Sequence, residues 1–539
     1  MKKKKQSIIL AGLISTSGIF LSKVIGILYM VPFNAIAGPE NLVFYGQAYN
    51  IYSYLLNVFT AGFPFAIATM VARYVMVEDY HTTFLIKKLA KRVMSVLGLI
   101  AMMTLILCSG LIAPLLVSKS AQDIEIMRNT LIILSIALFF VPYLSAFRGF
   151  YQGMKEMEVY ALSQVLEQFS RVIFLLGCGA LCVYVFHTDR VIAVYFAVLS
   201  AGVAALIAIA HMRLYDRKMM KEYVKLAAVQ PIAMRKDEHQ ILKEMLRLSV
   251  PYLIMAIFGY SDMIINALFL PSGLTAFGYS GEMVDAITGA ITSNVQKLMS
   301  IPMVLAPGFT AAIIPCLTTS VMSRDMEGIR KNITDCISSV LYIGIPVSFC
   351  LFAFAKGIYF TMYGGDLLGL HADILRWYSL EAFLSTIGPI FTSLLMAVGL
   401  RRLQLKYLGV YALVKCVTTY PLIAFMGYPG SVVSTLLAMC TSIFLSAHAL
   451  HTHFDMKWKE ISIRTLKMIL CTASIWVVAY GMNKIGINGY GTGRVKSFLE
   501  LALSGGTAII VYALLTYMFK LPQTIFHFDL ANIRQKFRK

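Results

Sequence analysis

Thr60–Tyr74 reads TAGFPFAIATMVARY, and Leu305–Thr319 reads LAPGFTAAIIPCLTT. Aligned, they put Gly62 on Gly308, 246 positions apart. A second match has nearly the same offset: Val159–Leu162 and Val410–Leu413 both read VYAL, 251 positions apart. Chance similarity between leucine-rich helices is the alternative, and the consistent offset argues against it. The chain therefore reads as two similar halves in series. Internal repeats of this kind are how many membrane transporters build a central site between two lobes.

Around these stretches the chain is apolar throughout. Its 539 residues are 58% hydrophobic and 14% charged, and the mean hydropathy is +0.74. A soluble protein of this length needs more polar surface, whereas a bilayer-spanning helix needs about 20 mostly apolar residues. Fourteen such segments can be read, near 8–33, 43–75, 93–117, 129–150, 159–186, 191–213, 244–270, 288–319, 332–354, 375–398, 407–426, 429–451, 465–483 and 497–519. The formal charge of +20 is not a nucleic-acid signal, because the 47 Lys and Arg residues sort by alternate loops. With the amino terminus inside, about 35 fall on inside segments and four within spans. Only eight fall outside: Lys119, Arg128, Arg190, Lys356, Arg376, Lys484, Arg494 and Lys496. This is the positive-inside bias, and it predicts both termini in the cytoplasm. The loop between the last two spans is the misfit, with three cations outside. The start, MKKKKQ, reads as the flank of an uncleaved first helix, since the apolar run continues past Lys23 to Phe33 without a clear cleavage site.

The expected architecture is all-α and multi-pass, with about 14 transmembrane helices. Two six-helix lobes, 1–213 and 244–451, stand in pseudo-twofold repeat. A basic cytoplasmic linker, 214–243, joins them. Two extra helices follow within 465–519, then a basic cytoplasmic tail over 520–539. The linker reads either as an amphipathic helix near anionic headgroups or as a plain topology anchor. The longest outside loops, near Pro271–Ala286 and Ala355–Ile374, leave little room for a catalytic ectodomain. Asp366, His371 and Asp373 read as solvated charges on an exposed loop. His448, His451 and His453 lack acidic or Cys companions, and the nine cysteines form no C-x-x-C pair. No metal site and no cofactor is expected.

Several spans carry polar residues at the i, i+3, i+4, i+7 spacing that defines one helix face. Span five has Gln164, Glu167, Gln168 and Arg171; span eight has Ser293, Gln296, Lys297 and Ser300; span two has Gln47, Asn50, Tyr54 and Asn57. Span eleven offers Tyr411, Lys415, Thr418 and Thr419. Thr16 and Lys23 lie in span one, Asp262 and Asn266 in span seven, Glu381 and Ser385 in span ten. A charge at mid-bilayer costs about 2.5–3.5 kcal/mol on insertion scales, so these stripes should face a shared interior. Interhelical hydrogen bonding accounts for part of the neutral set. It accounts less well for Lys23, Arg171, Lys297 and Lys415, which outnumber Glu167, Asp262 and Glu381. Glu167 and Arg171 can pair at i, i+4. The surplus positive charge suits an anionic substrate, phosphate above all. Pro302, Pro307, Gly308 and Pro315 interrupt span eight, as Gly62 and Pro64 interrupt span two. Broken helices fit beside a cavity or buried in protein.

Three segments carry a family resemblance: SKVIGILYMVPF in span one, FRGFYQGMKEMEVYALSQVLEQFSRV (Phe147–Val172) and KLMSIPMVLAPGF (Lys297–Phe309). They resemble the polysaccharide-transporter branch of the multidrug/oligosaccharidyl-lipid/polysaccharide flippase superfamily. Within it, the second segment is similar to the stage V sporulation protein B group and the third to MurJ-type lipid II flippases. The resemblance implies a two-lobed bundle with a central cationic cavity, a groove for a polyprenyl tail on the last two helices, and alternating access in a bacterial plasma membrane. It implies a monomer that binds a lipid-linked oligosaccharide and membrane lipids, and no nucleic acid. Lys23 and Lys297 match the cationic positions of the first and eighth spans, where MurJ-type chains carry Arg. Lys loses the bidentate fork that suits a diphosphate but remains a point charge. The Arg expected in span two is absent over Leu55–Val58. Arg171 and Lys415 complete the expected diphosphate set. Asn50, Asn57, Gln164, Glu167, Gln168 and Gln296 form the expected cavity wall.

The function these readings favour is export of an undecaprenyl-diphosphate-linked precursor such as lipid II. Alternatives are a flippase for another lipid-linked glycan, of capsule or sporulation cortex, and an ion-coupled multidrug exporter. The exporter would favour an acidic, aromatic cavity, against the cation surplus here. A membrane potential does about 2.3 kcal/mol of work per charge per 100 mV and favours outward movement of a diphosphate. Resetting the cationic cavity would then call for a sodium ion or proton, with Asp262 and Glu381 as the candidate carriers.

Overall fold

The computed structural model describes residues 25–26, 28–117, 120–154, 156–229, 237–303, 317, 320–321, 323–365, 367–491 and 493–526. Among the described residues every regular element is helical, and twelve segments are long and apolar enough to cross a bilayer. They coincide with twelve of the fourteen segments read from the sequence. The other two, 8–33 and 288–319, run into residues outside the described set. Lys23, Pro307, Gly308 and Pro315 lie there, as does Asp366. The protein is an all-α, multi-pass membrane protein.

Packing divides the chain into two compact units, Met1–Ser293 and Asn294–Lys539. The first contains α1 (Met30–Ala37), α2 (Leu42–Thr60), α3 (Phe63–Met76), α4 (Tyr80–Leu116), α5 (Ala121–Gly153), α6 (Met157–Ala180), α7 (Val191–Val229), α8 (Glu238–Gly259), α9 (Ser261–Phe277) and α10 (Gly281–Gly289). The pairs α4–α5 and α6–α7 pack closely along their lengths. Their core joins Ile67 and Met70 of α3, Ile86 of α4, Phe147 and Phe150 of α5, Met212 of α7 and Met245 of α8. Asp79 caps α4 by accepting the Thr82 N–H at 2.9 Å. This supplies one of the four backbone partners that a helix start lacks.

Span two breaks at Gly62. Its φ of +72° is left-handed, a conformation that costs a side-chain-bearing residue about 1–2 kcal/mol. A Cβ at Gly62 would also stand 2.4 Å from Cβ of Tyr252 on α8. Pro64 then occupies the first turn of α3, where its missing N–H costs nothing.

The loop expected near Pro271–Ala286 is shorter than the sequence implied. Pro271 sits inside α9, which continues to Phe277, and α10 begins at Gly281. Helix-breaking residues are tolerated inside membrane bundles because neighbouring groups satisfy the freed backbone. The linker is helical over most of its length, since α7 runs on to Val229 and α8 begins at Glu238.

A π-helical stretch, Ala290–Val295, follows α10. The second unit then holds α11 (Gln296–Met303), α12 (Met326–Ala353), α13 (Ala355–Tyr363), α14 (Leu368–Ala397), α15 (Arg401–Met426), α16 (Tyr428–Phe454), α17 (Trp458–Lys484), α18 (Arg494–Met518) and α19 (Leu521–Phe526). Ile333 and Ile337 of α12, Leu394 of α14, Leu450 of α16, Met468 of α17 and Leu521 of α19 share one core. Residues 521–526, within the stretch read as the basic tail, are thus a helix docked on that core. The face of α17 and α18 that meets α12 is Cys471, Ile475, Ala508 and Tyr512. Leu470, Val477, Leu499 and Ile510 are exposed, as befits helices against lipid.

The outer-loop grouping also differs from expectation. His371 belongs to α14, is buried, and its ring lies 4.9 Å from that of Tyr359. Asp373 accepts the Tyr428 hydroxyl. The loop charges are packed because α14 begins at Leu368, within the stretch read as loop.

Candidate functional site

The polar face of span five forms on α6 as its spacing requires. Gln164, Glu167, Gln168 and Arg171 are all partly buried. Arg171 Nη2 donates to Glu167 Oε1 at 3.1 Å, the expected i, i+4 pair. The structure adds a partner that none of the polar stripes read from the sequence includes. Arg148 of α5 reaches Glu167 Oε2 through Nη2 at 2.8 Å, and its Nε donates to Ser163 Oγ at 3.0 Å. One carboxylate is thus clamped by two guanidiniums, all with side chains under one fifth exposed. The cluster carries a net charge of +1. Arg171 Nε is buried and has no hydrogen-bond acceptor among the described residues. The signal for Arg148 is present in the sequence, since it stands second in the segment Phe147–Val172 that carries the family resemblance.

A tyrosine ladder on α2 covers this cluster. Tyr45, Tyr49 and Tyr52 stand near Arg171, with successive ring centroids 4.7 and 5.4 Å apart. Tyr45 and Tyr29 share a hydroxyl–hydroxyl hydrogen bond of 2.7 Å. Asn50 is buried on the same helix. Gln168 lies against Gly26 of span one, and Gln164 donates to the Tyr160 hydroxyl at 3.2 Å. Asn57 donates to Ser53 O on its own helix. Gln47, wholly buried, donates to Leu116 O of α4 and Ala267 O of α9. It is interhelical glue. Asp262, in the first turn of α9, belongs to this unit.

The remaining candidates lie in the second unit. Lys415 of α15 is fully buried, and its Nζ donates to Ser431 O at 3.2 Å and Thr435 Oγ1 at 2.5 Å of α16. Thr418 and Thr419 join it by bonding Ser434 Oγ at 2.9 and 2.8 Å. Span eleven's polar face is therefore turned onto α16. Lys297 on α11 is partly exposed, and Gln296 is exposed. Glu381 is buried on α14, near Tyr378. The structure thus gathers Arg148, Glu167, Arg171 and the tyrosines in one unit, and holds Lys297, Lys415 and Glu381 in the other.

Comparison with known proteins places this architecture. Residues 10–321 match the model of the family described as polysaccharide biosynthesis protein. The lipid II flippase MurJ of Bacillus subtilis (strain 168) is 27% identical over 528 residues, 95% of each chain. A solved structure of lipid II flippase MurJ, in an inward closed conformation, superposes with a TM-score of 0.64 at 13% identity, covering 94% of this chain and 99% of that one. An inward-facing MATE family multidrug transporter of the MOP superfamily gives the same TM-score at 17% identity, covering 82% of this chain and 95% of that one. With more than half its length matched by the family model, the chain belongs to the polysaccharide biosynthesis protein family and is a membrane transporter, not an enzyme.

Proposed function

We propose that the protein is a flippase for a lipid-linked cell-wall oligosaccharide, an undecaprenyl-diphosphate-linked precursor of the lipid II type. The observation that carries this reading is the Arg148–Glu167–Arg171 cluster, a net cation buried in a membrane bundle with a donor to spare. A diphosphate is the anion that a guanidinium fork recognises best. The 27% identity to a lipid II flippase over nearly the whole chain supports the same substrate class. In this reading Arg171 binds the diphosphate together with Lys23 and Lys297. Lys415 holds α15 on α16. Alternating access moves the headgroup, and Asp262 or Glu381 carries the returning ion. Both termini are cytoplasmic.

The test is rescue of a strain depleted of its own lipid II flippase. Expression of this chain should restore growth, and Arg171→Gln should abolish the rescue with the protein still in the membrane. A wild-type chain that inserts but fails to rescue would overturn lipid II as the substrate.

A further inference from the structure

The second unit holds a cavity the proposed transport reaction does not use. It lies where α13, the start of α14, the end of α17 and the start of α18 meet, and encloses about 110 Å³. Lys356, Arg376, Asn483, Asn488, Tyr490 and Ser504 supply its polar lining, and the lining contains no carboxylate. Among the described residues neither Lys356 nor Arg376 forms an ion pair. Lys356 Nζ instead rests 4.2 Å from the centroid of the Tyr490 ring. Glu500, the acid that follows the lining loop, is already engaged: its Oε2 accepts the Gly489 N–H at 2.9 Å and its Oε1 lies 4.0 Å from Lys496. That contact holds the loop closed over the cavity, with Gly489 at φ +71°. The first turn of α13 lines the cavity too, and a helix start carries partial positive charge.

Two further facts point to what the cavity takes. Of the eight cations that the loop count sets on the cation-poor side, two line this cavity, Lys356 and Arg376. The Arg494 guanidinium is spent on Tyr363 O at 3.1 Å, which fastens α18 to α13. The loop that broke the topology rule walls the cavity with Ile487, Asn488, Gly489 and Tyr490. Its volume holds about four waters at roughly 30 Å³ each, far below the roughly 300 Å³ of a drug-sized pocket. A single phosphate group fits that size and charge. Val477, Tyr480, Val495 and Phe498 beside it are exposed, which places the mouth at the level where helix ends meet lipid headgroups.

We propose that this cavity binds the phosphate of an anionic membrane lipid, with Lys356 and Arg376 as its cationic contacts. The inference stands on this cavity alone and not on the flippase reading.

The test uses the purified full-length chain and the double variant Lys356→Gln/Arg376→Gln, the first at a half-buried and the second at an exposed position. Native mass spectrometry after titration with phosphatidylglycerol, and with phosphatidylcholine as the neutral control, reads lipid retention. The double variant should bind phosphatidylglycerol about 30-fold more weakly, the effect of two cations at a membrane surface, with phosphatidylcholine unchanged. Lys356→Arg/Arg376→Lys should keep the binding, which guards against a folding defect. If millimolar inorganic phosphate binds the wild-type chain and displaces the lipid, the site takes the same group from solution and the lipid assignment falls. Equal phosphatidylglycerol binding by wild type and double variant overturns the site altogether.

Discussion

At the scale of the residue, Glu167 is the pivot, because it neutralises one of two arginines and cannot neutralise both. This separates folding from transport. Removing Arg171 leaves an intact Arg148–Glu167 pair at 2.8 Å. Removing Glu167 leaves two buried guanidiniums facing each other. Breaking a buried pair costs about 3–5 kcal/mol in soluble proteins. Glu167→Gln should therefore lower thermal stability in detergent by that order and reduce the amount of inserted protein. Arg171→Gln should insert and melt close to wild type, yet transport nothing. Arg148→Gln combined with Glu167→Gln should recover most of the stability lost by Glu167→Gln alone. A normally stable Glu167→Gln protein would mean that the clamp does not form in the membrane. Lys297, partly exposed on α11, makes a parallel case. Lys297→Ala should cut transport at unchanged membrane levels, and Lys297→Arg should retain more of it, because a fixed charge is what a diphosphate needs. Transport at the wild-type rate in Lys297→Ala would leave that lysine a structural part.

At the scale of the element, the break between α2 and α3 is the most exposed to test. Gly62→Ala meets two costs, a left-handed backbone and the close approach of Tyr252. The sum should be about 2–4 kcal/mol, near the upper end of single-site effects. Tyr252→Ala placed beside Gly62→Ala should relieve the crowding but not the backbone term. Partial rescue of the melting temperature is the expected result, and no loss in Gly62→Ala would show that the helix can run straight through. The helical stripes were legible because 3.6-residue periodicity is local. Their partners were not. Lys415 reads from sequence like a cavity residue, yet its Nζ bonds Ser431 O and Thr435 Oγ1 on α16. A polar stripe says which face is buried and not what it is buried against.

At the scale of the whole molecule, the last two membrane helices are part of the second unit's core. Met468 of α17 and Leu521 of α19 sit with Ile333 and Leu394 in one cluster, and Arg464 of α17 reaches Asp335 of α12 at 3.3 Å. A chain ended at Asp455 would expose that surface and should fail to accumulate, as an immunoblot of membranes would report. Stable accumulation would mean that α17–α19 are a dispensable appendage. Orientation is testable in the same cells. The Lys/Arg bias puts 214–243 on the cytoplasmic side, so a cysteine at Lys225 in a cysteine-free background should resist an impermeant maleimide in intact cells and react after lysis. Labelling from outside would invert the topology.

The sequence by itself determined the class of this protein. Apolar segments near 20 residues long can be satisfied only as helices in a bilayer, and the loop charges order them, both of which are properties of composition along a line. It also determined the Glu167–Arg171 pair, since four residues on one helix are neighbours whatever surrounds them. Only the tertiary structure brought Arg148 onto Glu167 from another helix, buried Lys415 against α16, and set Lys356 and Arg376 around one cavity with Asn488 and Tyr490. Those contacts join residues 16 to over 100 positions apart, for which no local period exists. Which buried charges are spent and which are left over is therefore decided by packing, and with it where an anion can bind.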